Sequence, residues 1–310
     1  MKTNSIVILL LSIMMTCAFF CSNDKGTGPV NEEQDEPQVL RGAYLGQTLP
    51  GTTPAVFASG IISNKYAAHS AAVFSPDGNE VFWTVGYTNP WTLHTFHMRI
   101  ENGSWTSRTE ASFSTAGSMP FYSTDGSRFF YVEDSSEGKS IMVMERTADG
   151  WADPVQLGYP FIDADLGWQA SCTADGTIYF SIQNGEYGLW DIYRSELDYG
   201  NYSDPVNLGE SINSNAYDGS PYISPDESYL IFSSIDRPGG SGGSDLYISF
   251  RDQRGNWGES INMGSEINTP QDDVFPFMSP DGEYLFFVSY RNGSQDVYWM
   301  DAAIIETLKK

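Results

Sequence analysis

Ser224-Pro225-Asp226-Glu227, set between the apolar runs Tyr222-Ile223 and Tyr229-Leu230-Ile231-Phe232, is one of five related tetrapeptides that decide the fold. The others are Ser75-Pro76-Asp77-Gly78, Ser123-Thr124-Asp125-Gly126, Thr173-Ala174-Asp175-Gly176 and Ser279-Pro280-Asp281-Gly282. Their starts lie 48, 50, 51 and 55 residues apart. Asp-Gly supplies the positive backbone angles that a tight hairpin turn needs. Glu227 stands in place of that glycine in the fourth copy, which marks its turn as the most strained.

Two further signatures follow each turn. A third strand carries Asp191-Ile192-Tyr193, Asp245-Leu246-Tyr247 or Asp296-Val297-Tyr298, with weaker forms at Ser140-Ile141-Met142 and near Leu93. A fourth begins at Gly103-Ser104-Trp105, Gly150-Trp151, Gly200-Asn201-Tyr202 or Gly255-Asn256-Trp257. Four short antiparallel strands in about 50 residues make one propeller blade. The expected fold is therefore all-β: a five-bladed β-propeller of four-stranded antiparallel blades, occupying residues 39–310.

The fifth copy runs out after Tyr298-Trp299-Met300 without its fourth strand, while residues 53–60 form a strand with no blade of their own. Gly60 precedes Ser75 by 15 residues, the interval that also separates Gly158 from Thr173, Gly209 from Ser224 and Gly264 from Ser279. The N-terminal segment is thus the missing outer strand of the last blade, and pairing it there removes two open sheet edges. Trp105 lies only 18 residues before Ser123, where the other copies have 22, so one connection is short and a notch is expected beside the second blade.

These signatures resemble the WD40-like, TolB-type propeller repeats known as PD40, and residues 234–247, with Arg237-Pro238-Gly239-Gly240 and Asp245-Leu246-Tyr247, match that pattern closely. The resemblance covers residues 52–300 and implies a propeller. It implies little about activity, because such repeats occur in binding scaffolds, in TolB-like periplasmic proteins and beside peptidases.

Composition narrows the function. The 40 acidic and 16 basic side chains give a formal charge of −24, which excludes a general nucleic-acid binder and argues against adsorption to an anionic membrane surface. The N-terminus reads as an export signal: Lys2 is followed by an apolar run over residues 6–20, too short to span a bilayer comfortably. Cys21 comes next, an arrangement that resembles a bacterial lipoprotein signal with Cys21 as the lipidated residue; Cys17 is a competitor. Residues 1–20 are then the signal peptide and residues 21–38 a disordered acidic tether. The expected address is a bacterial outer membrane lipoprotein, periplasmic or surface-exposed, touching the membrane through its lipid anchor only.

Propeller ligands are sought at the channel mouth away from the Asp-Gly turns. Six residues before each turn stand His69, Gly117, Gly167, Asp218 and Asp273, with Trp168 and Gln169 beside them. On equivalent repeats these form one ring of two carboxylates, an imidazole and an aromatic platform, able to hold a sugar, a cation or a peptide end. The competing reading is that Asp218 and Asp273 cap loop N–H groups. Arg237 adds a cation on the same face, with no counterpart recognised in the other repeats. Pro120, Pro221 and Pro276 share one position on the innermost strand, an edge where a missing donor is tolerated.

No cofactor or metal is expected. His94 and His97 are three apart, which on a strand puts them on opposite faces, and residues 239–243 lack the Lys and helix of a phosphate loop. Cys172 reads as a buried small hydrophobe. Two functions remain. One is a non-catalytic, lipid-anchored propeller that binds an envelope protein or a glycan. The other is a glycosidase-like enzyme using Asp218 and Asp273 as its carboxylate pair.

Overall fold

The computed structural model describes residues 39–309 apart from 65, 89, 137, 149, 163–164 and 184–188; the signal peptide, the tether and Cys21 lie outside the described residues. Each repeat is organised around a central antiparallel hairpin. In chain order these pair Glu80–Thr88 with Trp91–Glu101, Arg128–Ser135 with Gly138–Thr147, Ile178–Gln183 with Trp190–Ser195, Tyr229–Ile235 with Ser244–Phe250, and Tyr284–Ser289 with Asp296–Asp301. An inner strand precedes each hairpin across the Asp-containing turn. It is continuous at Gly117–Tyr122, Tyr217–Ile223 and Asp273–Met278, and reduced to short pieces at Ala67–Ala68, Val73–Phe74 and Ser171–Cys172.

The turns are held by their own side chains. The Ser75 hydroxyl donates to Asp77 Oδ1 at 2.6 Å and accepts the Glu80 N–H at 2.9 Å, while Asp77 Oδ1 accepts the Asn79 N–H at 3.1 Å. The same hydroxyl-to-carboxylate bond recurs at Ser123/Asp125, Thr173/Asp175 and Ser279/Asp281. At Asp125 the Ser123 hydroxyl, with the Ser127 N–H and hydroxyl, holds the carboxyl down at about 2. Glu227 does take a left-handed φ of 56°, a conformation that costs a non-glycine residue about 1–3 kcal/mol. Its carboxylate offsets this by accepting the Tyr179 hydroxyl at 2.7 Å and pairing with Arg251.

The central strands are buried on both faces, so consecutive apolar residues serve different cores. Ile231, Leu246 and Ile248 pack with Leu285, Phe287 and Tyr298 of the fifth repeat, whereas Leu230, Phe232 and Tyr247 pack with Tyr179 and Ile192 of the third. Sheet packs on sheet in this way between neighbouring repeats, and Phe277 touches four of the resulting clusters.

The outer strand differs from expectation. Instead of one strand starting at the Gly-Trp turn, the chain makes two short contacts with the third strand: in the second repeat Gly150–Trp151 pairs first and Val155–Gln156 pairs further along. The reason lies in the next connection, which satisfies the rest of the strand edge with a side chain. Asn213 Oδ1 accepts the Ile192 N–H (2.7 Å) and its Nδ2 donates to the Ile192 carbonyl (3.0 Å); Asn268 does the same to Leu246 (2.8 and 2.9 Å). Ser63 and Ser114 take this role toward Val297 and Thr95. Each therefore replaces a rung of β-ladder. The short connection into the second repeat uses this device in fewer residues, with Phe113 stacked on Tyr131 at 4.2 Å between centroids.

Ring closure follows the sequence reading. Ala55 pairs with Trp299 and Val56 with Tyr298, and the Phe57 N–H donates to the Val297 carbonyl at 2.8 Å. Preceding residues widen the seam: the Tyr44 hydroxyl donates to Asp281 at 2.6 Å, and the Trp105 indole donates to the Gly42 carbonyl at 2.8 Å. Tyr44 and Phe57 are buried with Trp83 of the first repeat and Phe286 and Trp299 of the last. After the final strand the chain adds a short helix, Ala303–Leu308, which the sequence reading did not anticipate; its Ile305 closes the core between the last two repeats.

Candidate functional site

Three inner strands shift register at one place, and Met119, Ser220 and Phe275 hold positive φ there (52°, 50° and 55°), each directly before Pro120, Pro221 or Pro276. Such bulges redirect backbone groups away from the ladder. Gln169 occupies the matching position of the third repeat, four residues before its turn, and its amide donates to the Pro276 carbonyl at 2.9 Å and the Pro221 carbonyl at 3.5 Å. Ser171 adds a bond to the Pro221 carbonyl at 2.9 Å. The redirected carbonyls of two repeats are thus tied to side chains of a third.

On the loop face a cavity of about 290 Å³ is lined by His69, Trp91, Trp168, Tyr217, Phe275 and Tyr290 together with short polar side chains, among them Ser244 and Asp272. His69 is its hub. The imidazole meets Trp168 edge-to-face at 5.3 Å, Phe275 at 5.6 Å and Trp91 at 6.0 Å between centroids. Its Nε2 is shut away from solvent without a partner among the described residues, and burial pushes its pKa down to about 4, so the ring is neutral at neutral pH. Lys139 places its ammonium 4.2 Å from the Trp168 ring centre, and Trp91, 55% exposed, packs over Gly86, where any Cβ would strike its ring at 2.4 Å. Burial raises Tyr217 and Tyr290 to about 12 and keeps both hydroxyls neutral.

The opposite mouth, beside the Asp-containing turns, has a smaller cavity of about 110 Å³ lined by Pro76, Pro225, Pro280, Cys172 and Phe277. Cys172 is a buried thiol donating to the Tyr122 carbonyl at 3.3 Å, with its pKa raised to about 12 by burial.

The expected ring at the mouth is only partly assembled. His69 and Trp168 meet; Gln169 bonds carbonyls of the fourth and fifth repeats. Asp218 and Asp273 are fully buried inside their own repeats, a correction to the reading that aimed them at a ligand. Asp273 Oδ2 accepts the Thr269 N–H and hydroxyl (2.6 and 2.8 Å), and its Oδ1 accepts from Arg291 at 3.0 Å. Asp218 Oδ2 takes Ser214 in the same way, with Arg237 3.5 Å from Oδ1. A buried carboxylate demands such partners; loop capping supplies them to Oδ2 of both acids, while Asp218 Oδ1 has the Arg237 charge but no hydrogen bond among the described residues. Arg237 is likewise internal, donating to the Ile212 carbonyl and lying over Phe232 and Tyr247. It also has a counterpart that the sequence reading missed. Arg291 reaches the Ile267 carbonyl and lies over Phe287 and Tyr298, but the Arg stands one residue nearer its turn motif than strict repeat spacing gives.

Trp91, Phe275 and Lys139 were also missed. Phe275 had a signal, because it precedes Pro276 at the bulge; Trp91 and Lys139 sit where the repeats differ and had none. His94 and His97 do occupy separate environments, the former beside Glu110 at 3.2 Å and the latter stacked on Phe82 at 5.1 Å.

No family model matches the chain, and no curated protein does. Among solved structures, TolB from Acinetobacter baumannii matches with a TM-score of 0.53 at 19% identity, over 85% of this chain and 60% of TolB. The chain has the TolB-like β-propeller fold. A glycoside hydrolase matches this propeller with a TM-score of 0.53 at 11% identity, over 84% of this chain and 93% of that one. At such identities the likeness is one of fold, and the TolB-like propeller here spans about 60% of the length of TolB itself.

Proposed function

We propose that this propeller is an exported, non-catalytic binding module of the bacterial envelope, and that the loop-face cavity around His69 and Trp168 is its binding site for a glycan or a protein partner. One observation carries the reading: a neutral imidazole, two indoles and a phenyl ring converge on one cavity bordered by hydroxyls and a carboxamide. Aromatic faces beside few polar groups suit the alternating apolar faces and hydroxyls of a sugar, or an aromatic anchor of a protein. The glycosidase-like alternative rests on Asp218 and Asp273, which are fully buried: Ser214 and Thr269 hold Oδ2 of each, Arg291 donates to Asp273 Oδ1, and Asp218 Oδ1 has the Arg237 charge 3.5 Å away. Anchoring through Cys21 and residence at the outer membrane belong to the same proposal.

The test is a glycan array and a pull-down from envelope extract, run with the parent and with Trp168→Ala. Retention by the parent and loss by the variant is expected. Equal retention by both removes the loop-face cavity as the site. Separately, Cys21→Ser is expected to move the protein out of the membrane fraction; if Cys17→Ser does so instead, Cys17 is the anchor.

A further inference from the structure

The third strands of the fourth and fifth repeats carry an aspartate and a tyrosine in the same places, opposite a serine of the second strand, and the loops before them differ. In the fifth repeat Ser289 lies opposite Asp296, and the serine, the aspartate and Tyr298 each have a side-chain partner. Arg291 Nε donates to the Ser289 hydroxyl at 2.9 Å, the Ser294 hydroxyl donates to Asp296 at 2.5 Å, and Asn292 donates to the Tyr298 hydroxyl at 2.6 Å. In the fourth repeat Ser234 lies opposite Asp245, with Tyr247 two residues along. There Ser234 Oγ, Asp245 Oδ1 and Tyr247 Oη are all buried and have no partner among the described residues. The three residues are only 1%, 1% and 3% exposed.

The loop explains the difference. Where the fifth repeat has Asn292 and Ser294, the fourth has Pro238 and Gly243, and its loop is longer and rich in glycine. It lies over the free oxygens without giving them a donor, and it is pinned to the next repeat. A Cβ on Gly242 would lie 2.4 Å from the Pro270 carbonyl oxygen, one on Gly243 would lie 2.4 Å from Asp272 Oδ1, and the Ser244 N–H donates to that same oxygen at 2.8 Å. Gly240 passes directly over the nook: its Cβ would sit 2.6 Å from Asp245 Oδ2, 3.2 Å from the Arg237 carbonyl oxygen and 3.5 Å from Tyr247 Oη. Asp245 Oδ2 is held by the Ser241 N–H at 2.5 Å and by Asn262 at 3.4 Å, which leaves Oδ1 as the open position.

We propose that this nook, closed by the glycine-rich loop and bounded by Asp245, Tyr247, Ser234 and the Arg237 carbonyl, is a calcium site. The donors are all oxygen, with no nitrogen or sulfur ligand, which selects a hard cation over a transition metal. Calcium accepts carboxylate, carbonyl, hydroxyl and water oxygens in irregular geometry. The local field favours a cation. Burial, with a smaller contribution from Asp273, lifts the Asp245 carboxyl above its usual range, and no cationic side chain pairs with Asp245 among the described residues. The Arg237 guanidinium lies 5.0 Å over the Tyr247 ring, and its charge is directed to Asp218 and the Ile212 carbonyl. With one carboxylate in the set, affinity belongs to the weak extracellular class, about 10⁻⁴–10⁻³ M. The cation would brace a loop whose following residue, Ser244, lines the loop-face cavity.

Terbium luminescence on the purified full-length chain tests this, because a tyrosine at the site sensitises the bound ion. Excitation of tyrosine is expected to give terbium emission that calcium competes away and magnesium does not. Tyr247→Phe, which keeps the ring packing, is expected to lose at least tenfold of the signal, and Asp245→Asn to abolish it. A third variant, with residues 238–243 replaced by the fifth repeat's Asn-Gly-Ser, supplies the missing donors from the protein and is expected to fold without binding terbium. A parent that gives no emission overturns the proposal and assigns the three oxygens to ordered water. So does emission that survives in both Tyr247→Phe and the loop replacement.

Discussion

At the turn face a serine or threonine hydroxyl donates to an aspartate two residues on in four of the five repeats, and the fourth repeat keeps the aspartate accepting its Ser228 N–H. At the loop face the equivalent positions hold His69, Gly117, Gly167, Asp218 and Asp273, and of these His69 alone lines the cavity. Even the two aspartates, which match in register and capping, serve the interior. The lesson is that a repeat's regular face reports how the sheet is held. Function has room where the copies diverge.

Four experiments would break or sharpen that contrast. The largest effect belongs to neither face but to the seam: deleting residues 39–62 removes the Ala55–Trp299 and Val56–Tyr298 pairs and exposes two strand edges. Aggregation in size-exclusion chromatography is expected, and a monomer that melts like the parent would break the latch. Next comes Asp273→Asn. It leaves Arg291 uncompensated beside a fully buried position and is expected to cost about 3–5 kcal/mol in urea unfolding while ligand retention persists. Asp218→Asn should cost less, since Arg237 stands farther off at 3.5 Å. Lost binding with unchanged stability in either variant would return the acids to the site.

Smaller effects separate the faces. Ser123→Ala removes the hydroxyl that bridges Asp125 and the Arg128 N–H, and should cost about 0.5–2 kcal/mol, as losing a side-chain cap does. The pH profile is the subtlest measurement. His69 titrates near 4 in the fold against an ordinary value near 6.5, so its contribution is complete above about 6.5 and is lost as the pH falls toward 4. Asp125, held at about 2, contributes above its ordinary value near 3.9 and loses that contribution between there and about 2. Thermal melts from pH 7 to pH 2 are expected to fall in two stages, and His69→Gln to remove the upper one. A single stage in the parent would mean that the loop-face imidazole is not buried as described.

The turns, the strand order and the closing strand were legible because each rests on a short local rule: Asp-Gly for a turn, a short apolar run beside it for a strand, a missing fourth strand for a latch. The site was less legible for a physical reason. Spacing places Asp218 and Asp273 on the same rung but says nothing about Arg237 and Arg291, which approach from loops of different length at offsets that differ by one residue and pair with both acids in the interior. The repeated Ile212-Asn213 and Ile267-Asn268 pairs stood in the sequence at a constant offset of 55 residues, yet their role in finishing a strand edge needs three-dimensional neighbours to be seen. Trp91 reaches the cavity, and Lys139 reaches Trp168 at its border, from hairpin ends that have no common pattern.

The pairing of Ala55 with Trp299 also sets a schedule. During synthesis the latch strand emerges among the first residues of the ring and its partner among the last, so a contact spanning nearly the whole propeller is the one that completes it. Loop-closure entropy makes such a contact slow to form, and every earlier intermediate carries an unpaired edge at both ends. Nascent copies are therefore vulnerable for as long as the C-terminal strand is unmade. A chaperone that shields residues 53–60 until Trp299 arrives would raise the yield of closed rings without touching any other part of the fold.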